Sequence, residues 1–83
     1  MELKTSDLFL VAYLLNQHIH PSQIISEGNY SRKKKIIFIF NSNDAVSKYV
    51  NAFKQGKATT NVINFKRDFQ LARDWMFDKL REN

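Results

Sequence analysis

The strongest strand signal in the chain is KIIFIF, at residues 35–40. β-Branched and aromatic residues fit a pleated, buried surface, so this stretch predicts a β-strand within a hydrophobic core. Successive side chains of a strand point to opposite faces of its sheet, which gives two sets: Ile37 and Ile39 on one face, and Ile36, Phe38 and Phe40 on the other. Because both faces are apolar, we expect both to be covered, by the chain's own helices or by a partner.

A second, shorter strand is predicted before this one, at residues 23–26. Gly28, Asn29 and Ser31 lie between the two strands, and all three residue types favour turns. The two strands therefore predict a two-stranded antiparallel hairpin.

Helical periodicity precedes the hairpin. Thr5 or Ser6 is the predicted cap of this first helix, with Asp7 in its first turn, where a negative charge is favourable. Pro21 is the predicted stop, because the residue before a proline is disfavoured in helical geometry. The apolar face has helical spacing and consists of Leu8, Val11, Ala12, Leu15 and Ile19.

Two further helices are predicted after the hairpin. The first of them has Ser42 or Asn43 as its cap and ends at Gly56, a natural left-handed stop. Residues 57–63 are predicted to be a connection, with an extended piece at its end, and Asn64 is the predicted cap of the last helix.

These elements predict an α+β fold of the order helix–strand–strand–helix–helix, a two-stranded antiparallel hairpin packed against three helices. The periodicity also predicts which side chains form the core: Leu8, Leu15, Ile37, Ile39, Val50, Phe53, Phe69 and Met76.

Length and composition bound the class of protein. The 83 residues suffice for one small domain, residues 1–83, and an aromatic share of 13% is too high for a disordered chain. Cysteine is absent, which excludes disulfides and thiolate metal sites. The sequence begins with no secretory signal pattern, and no apolar run approaches ~18 residues. We therefore expect a cytoplasmic protein that does not bind membranes.

The basic charge is concentrated in the middle of the chain. The net charge is +5, and residues 31–67 carry nine bases against one acid. This asymmetry predicts an anionic partner, with nucleic acid as the first candidate; a merely solubilising face is the other interpretation. The predicted contacts are all nine bases of that segment: Arg32, Lys33, Lys34, Lys35, Lys48, Lys54, Lys57, Lys66 and Arg67.

No motif in the sequence predicts catalysis or a cofactor. His18 and His20 form a His-x-His pair, but a third ligand with suitable spacing is missing, so two exposed imidazoles at a helix end are the favoured interpretation. Neither a nucleophile elbow nor a paired-carboxylate motif occurs, and two glycines leave no phosphate-binding loop. The sequence therefore predicts no catalytic residue, no metal and no cofactor.

The aromatic residues allow two interpretations. Phe38 and Phe40 follow the basic run as in sheets that stack RNA bases, but the four-stranded βαββαβ order is missing, and a core position is favoured. Trp75 and Phe77 fit either the edge of the core or an exposed patch for a protein partner. If the protein instead binds a protein partner, we expect Phe38, Phe40, Trp75 and Phe77 to form the interface. The partner is then a host protein, or a second copy of the chain whose strand edges pair with this one.

A family resemblance covers almost the whole chain. The residues that carry it are TSDL at 5–8 followed by AYLL at 12–15, FIF at 38–40, and the segment from GKA at 56–58 to Phe65. They resemble a small uncharacterised domain family of bacteria, archaea and their phages and mobile elements, whose members open with T-[KS]-D-hydrophobic. The resemblance implies a fold outline and a mobile-element context, and no catalytic or binding residue. The basic turn at residues 32–35 departs from the family outline.

These observations lead to one functional prediction and one alternative. We expect a small non-enzymatic binding module, encoded by a phage or mobile element, whose basic hairpin binds an anionic partner, nucleic acid first. The alternative is a protein-binding or self-associating module, such as a phage-encoded inhibitor of a host factor.

Overall fold

Three helices and a three-stranded antiparallel sheet form the part of the chain that the structure, a computed structural model, describes: residues 2–28 and 35–81. The α+β class is therefore confirmed. Within those two ranges, no helix combines the length and apolar character needed to cross a membrane. The elements are, in chain order, β1 (Glu2–Thr5), α1 (Leu8–Asn16), β2 (Gln23–Glu27), β3 (Lys35–Asn41), α2 (Asp44–Lys54) and α3 (Val62–Arg81).

The sheet has a strand that the sequence did not predict. β3 is central, β2 pairs with one side of it as the predicted hairpin, and β1 pairs antiparallel with the other side. The prediction of a two-stranded sheet was therefore wrong. The sequence of β1 gives no strand signal, because Leu3 is the one large apolar side chain among its four residues. β1 forms because the free edge of β3 offers hydrogen-bonding groups and because Leu3, opposite Phe40, packs against the core.

The two faces of β3 are the ones that the alternation predicted. Ile36, Phe38 and Phe40 belong to the core cluster that the helices cover. Ile37 and Ile39 are also buried, on the opposite face, where the register places the long side chains of neighbouring strands beside them. Buried apolar side chains on both faces explain why residues 35–40 have no polar alternation.

α1 lies between the other two helices. On one side its Tyr13 ring contacts the rings of Tyr49 and Phe53 of α2. On the other side it packs extensively along α3. Six consecutive residues of α1 are buried for this reason: Leu10, Val11, Ala12, Tyr13, Leu14 and Leu15.

The predicted core residues all lie inside the fold, at two depths. Four of them are buried: Leu15, Ile37, Ile39 and Val50. The other four are half-buried: Leu8, Phe53, Phe69 and Met76. The second group sits where helices meet at their edges, so periodicity identified the correct faces without resolving the depth.

The start of α1 differs from the prediction. Asp7 is the cap, and its carboxylate accepts hydrogen bonds from the backbone N–H groups of Phe9 at 2.9 Å and Leu10 at 3.4 Å. Thr5 belongs to β1, and its hydroxyl oxygen accepts from the Asp7 N–H at 3.1 Å. The predicted caps Thr5 and Ser6 were wrong because Asp7 accepts the first-turn hydrogen bonds and Thr5 is part of the unpredicted strand.

The end of α1 also differs, because the helix ends at Asn16 and not at Pro21. His18 adopts a left-handed backbone with φ 63°. The His18 N–H donates to the Leu15 carbonyl and the Ile19 N–H donates to the Leu14 carbonyl, both at 2.9 Å. This is the Schellman arrangement, in which a left-handed residue satisfies the last helical carbonyls and ends the helix.

α2 follows the prediction, whereas α3 starts earlier than expected. Asn43 caps α2 by accepting from the Val46 N–H at 2.9 Å, and Gly56 follows the helix with φ 72°. α3 begins at Val62, where an extended piece was predicted, and the Asn61 side chain accepts from the N–H groups of residues 63 and 64. The prediction of Asn64 as the cap was wrong because Asn61 satisfies the first-turn donors instead.

Candidate functional site

The predicted basic contacts are distributed over several elements. Those that the structure describes are all exposed: Lys35 in β3, Lys48 and Lys54 in α2, Lys57 in the connection, and Lys66 and Arg67 in α3. Arg32, Lys33 and Lys34 lie outside the described residues. The predicted contacts therefore include exposed side chains on the sheet and on two helices.

These bases are not gathered on one helix face. Lys48 and Lys54 are on α2, Lys66 and Arg67 are on α3, and α1 separates the two helices. Within α3, Lys66 and Arg67 are adjacent residues and point about 100° apart. The Arg67 Nε lies 3.8 Å from a carboxylate oxygen of its neighbour Asp68. This ion pair partly offsets the positive charge of Arg67.

A line of residues on one side of α3 combines bases with apolar side chains. We call it the α3 stripe: Val62, Lys66, Phe69, Arg73 and Phe77. Their spacings of four, three, four and four place them one above the other along the helix. All are exposed except Phe69, which is half-buried, and the Phe77 side chain is 46% exposed.

A ring from α1 extends the α3 stripe sideways. The ring of Phe9 stacks on that of Phe69, with centroids 5.0 Å apart and planes inclined by 26°. Phe9 is nevertheless 57% exposed. The Phe9 ring therefore contacts the protein through Phe69 while more than half of the residue remains exposed to solvent.

The acids of α3 lie away from the stripe. Asp74 and Asp78 are one turn apart, and at about 100° per residue both lie roughly 100° or more around the axis from the centre of the stripe. Asp68 is on a different side again, is only 8% exposed, and accepts from the Asn16 amide at 3.3 Å. Arg81 donates to Asp78 at 2.5 Å. The α3 stripe therefore presents two bases and no acid.

The four aromatic residues of the alternative interface occupy three different environments. Phe38 and Phe40 are fully buried, so their rings are not at the surface, as the core interpretation requires. Trp75 and Phe77 are two positions apart on a helix and so face different directions. Phe77 belongs to the α3 stripe, whereas Trp75 lines an open groove.

That groove lies between the start of β2 and the second half of α3. Its volume is about 400 Å³. Among the strands that the structure describes, β2 is at the edge of the sheet, and its first residues line the groove. The lining residues are Pro21, Ser22, Gln23, Ile24, Trp75, Asp78 and Lys79.

The histidines have separate roles in the backbone. His18 is the left-handed residue that ends α1, and His20 precedes Pro21 in the connection to β2. Both are exposed. Among the residues that the structure describes, no three His, Cys, Asp or Glu side chains are grouped so that they could hold a metal ion.

Sequence reasoning missed Phe9, Val62, Phe69 and Arg73 as surface-site residues. Phe69 was assigned to the core, Phe9 was not among the predicted contacts, and Val62 was placed before the last helix. Arg73 lies beyond the basic segment, in a part of the chain whose acids and bases nearly balance. The available signal was the four, three, four, four spacing along α3, which combines both residue types on one line.

Comparison with known proteins places the chain in a family. Residues 1–76 match the domain of unknown function DUF5659. The chain belongs to the DUF5659 family. This match confirms the resemblance to a small uncharacterised domain family over almost the whole chain. Comparison of this DUF5659 member with curated proteins found no match, and comparison with solved structures found none either.

Proposed function

We propose that this DUF5659 member is a small non-enzymatic binding module for nucleic acid, and that the α3 stripe is its main contact surface. The observation that carries the proposal is the separation of charge on α3. Lys66 and Arg73 lie on the stripe, whereas none of the acids of the helix does. Two exposed bases on a line of the helix that carries no acid can attract phosphates.

The basic run at residues 32–35 extends the proposed contacts. Lys35, its described member, is exposed at the start of β3. Contacts from this run and from the stripe would be made to phosphates, which position a protein on nucleic acid without reading its sequence. The phage or mobile-element context stays a prediction, since it depends on the family resemblance alone.

The proposal is tested by salt titration of binding to fluorescent DNA and RNA, starting near ~50 mM salt, where electrostatic association is strong. The double variant Lys66→Ala/Arg73→Ala removes two phosphate contacts, so the log–log salt slope should flatten by about 1.4–1.8. Lys48→Ala/Lys54→Ala is the matched control, because it removes the same charge from exposed positions on α2, which were predicted contacts but are not part of the α3 stripe.

Two results contradict the proposal. Absence of binding to every nucleic acid at the lowest salt removes nucleic acid as the partner. An equal loss of affinity in both double variants shows that net charge, and not the α3 stripe, carries the binding.

The alternative function, a protein-binding or self-associating module, is favoured by the groove beside β2. Trp75 lines this groove next to an unpaired strand edge, the combination that a peptide strand can extend by backbone pairing. Sedimentation of the purified chain without nucleic acid tests self-association. A dimer that dissociates in Trp75→Ala and persists in Lys66→Ala/Arg73→Ala would favour the alternative over the proposed function.

A further inference from the structure

Two exposed rings, Phe77 on the α3 stripe and Phe9 beside it, indicate a narrower class of ligand than nucleic acid in general. We propose that the ligand is single-stranded, and that unpaired bases stack on Phe9 and Phe77 while Arg73, between Phe69 and Phe77 on the helix, and Lys66, one turn before Phe69, hold phosphates of the same strand. This inference rests on the proposed function and deepens it.

The first step is the exposure of the two rings. Phe9 is 57% and Phe77 46% exposed, although phenylalanine is among the residues most often buried. Both lie on or beside the one side of α3 that presents bases without acids. Aromatic rings within a positively charged surface are the pattern that binds single strands, because every base has a face that can stack.

The second step is the rigidity of the platform. Phe9 stacks on Phe69 at 5.0 Å and stands on α1, of which the next six residues are buried. The ring is therefore held in place before any ligand arrives. A base that stacks on its open side would continue a stack that the protein has already built, with little loss of side-chain freedom.

The third step is the spacing of the rings. Phe9 stacks on Phe69, and Phe77 is eight residues beyond Phe69, roughly 12 Å further along the helix axis, so the two stacking positions are separated by about that rise. Bases in a duplex are stacked about 3.4 Å apart, and each base is covered on both faces by the bases above and below it. Two protein rings roughly 12 Å apart therefore cannot stack on bases inside a duplex. A flexible strand can present two unpaired bases at that distance, with Arg73 one turn from each ring.

The charge on the stripe complements this ligand and not a basic or neutral one. Lys66 and Arg73 are exposed, and the nearest acids of α3 lie on other sides of the helix. The sugar–phosphate backbone between the two stacked bases would lie against Arg73, and its continuation past Phe9 would lie near Lys66. An acidic protein segment would find the same charges but would gain no base stacking from the rings.

The experiment measures fluorescence anisotropy of labelled oligo-dT and oligo-U of about 20 nucleotides, longer than the ~16 that single-strand domains commonly cover. A hairpin duplex of equal charge is the comparison. The wild-type chain should bind the single strands at least about 10-fold more tightly than the duplex. Phe77→Ala should reduce single-strand affinity by about 10-fold and leave both the duplex affinity and the salt slope unchanged.

Leu71→Ala is the matched control, because Leu71 is also an exposed apolar side chain of α3, 38% exposed, on the opposite flank. Its affinity for single strands should equal that of the wild-type chain. Phe9→Ala should behave like Phe77→Ala, and Phe9→Tyr, which keeps the ring, should restore binding. Because Phe77 is exposed, its variant keeps the test decisive even if Phe9→Ala loosens the packing of α1.

The outcomes separate the inference from the proposed function. Equal affinity for duplex and single strands, with Phe77→Ala no weaker than Leu71→Ala, overturns the stacking inference and leaves nucleic-acid binding intact. No binding to any of the probes overturns both. Loss of duplex and single-strand binding in equal measure in Phe77→Ala also overturns the inference, since stacking acts on unpaired bases.

Discussion

Replacing His18 with glycine should stabilise the fold. His18 ends α1 with φ 63°, a left-handed backbone that costs a residue with a Cβ about 1–2 kcal/mol. Glycine avoids this cost but makes the unfolded chain more flexible, which offsets about 0.5–1 kcal/mol. The imidazole is exposed, so little packing is lost. We therefore expect His18→Gly to raise the free energy of unfolding by about 0.5–1 kcal/mol.

A neighbouring histidine provides the control. His20 is also exposed, and among the described residues His18 is the one non-glycine with positive φ. His20→Gly therefore removes the same side chain and adds the same flexibility without relieving strain. It should lower stability by about 0.5–1 kcal/mol, so the two variants should differ by about 1–2 kcal/mol.

The end of α2 gives the reverse test. Gly56 has φ 72°, and the Gly56 and Lys57 N–H groups donate to the carbonyls of Phe53 and Ala52, the same arrangement as at His18. A Cβ added at Gly56 would meet no heavy atom within 4 Å. Gly56→Ala should therefore cost backbone strain alone, about 1 kcal/mol.

Urea unfolding followed by far-ultraviolet circular dichroism measures all three variants, with m-values compared to confirm that each variant exposes the same amount of surface on unfolding. In thermal unfolding, 1 kcal/mol corresponds to about 4–8 °C for a domain of this size. If His18→Gly proves no more stable than His20→Gly, then His18 is not held in a left-handed conformation and our account of the end of α1 is wrong.

Three further variants test the packing. Asn16→Ala removes the amide that donates to the buried Asp68 carboxylate and should lower the free energy of unfolding by about 2 kcal/mol. In a chain that already carries Asp68→Ala, the same change should cost less than ~1 kcal/mol. A double-mutant cycle measured by urea unfolding that gives additive losses would contradict this coupling. Phe38→Ala empties a fully buried site and should cost about 3–5 kcal/mol; a shift of the urea midpoint equivalent to less than ~1 kcal/mol would exclude Phe38 from the core. Asn43→Ala removes the cap of α2 and should cost about 1 kcal/mol, which Asn43→Asp should largely restore in the same assay.

The candidate site could be predicted only in part from the sequence. The excess of bases was visible, and Lys66 was among the predicted contacts. The association of Arg73 with Lys66 and Phe77 depended on knowing that α3 is one continuous helix from Val62. The pairing of Phe9 with Phe69 joins residues that are 60 positions apart, and no local pattern reports such a contact.

The sequence by itself determined the central strand, its two faces, and the positions of the three helices to within a few residues. These features depend on local chemistry: side-chain alternation, helical spacing, and residues such as Asn43 and Gly56 that start or stop a helix. They are visible because each repeats or ends a pattern within a few positions along the chain.

Only the tertiary structure decided the features that depend on distant partners. β1 has no strand signal and exists because β3 has a free edge and the core accepts Leu3. α1 ends at Asn16, before a left-handed His18 that has no strong tendency to end a helix, and Ile19 then packs against the core. The ring of Phe9, which lies beside the α3 stripe, comes from α1. In each case the deciding free energy comes from contacts formed only after the chain has folded, so the sequence around the residue does not contain it.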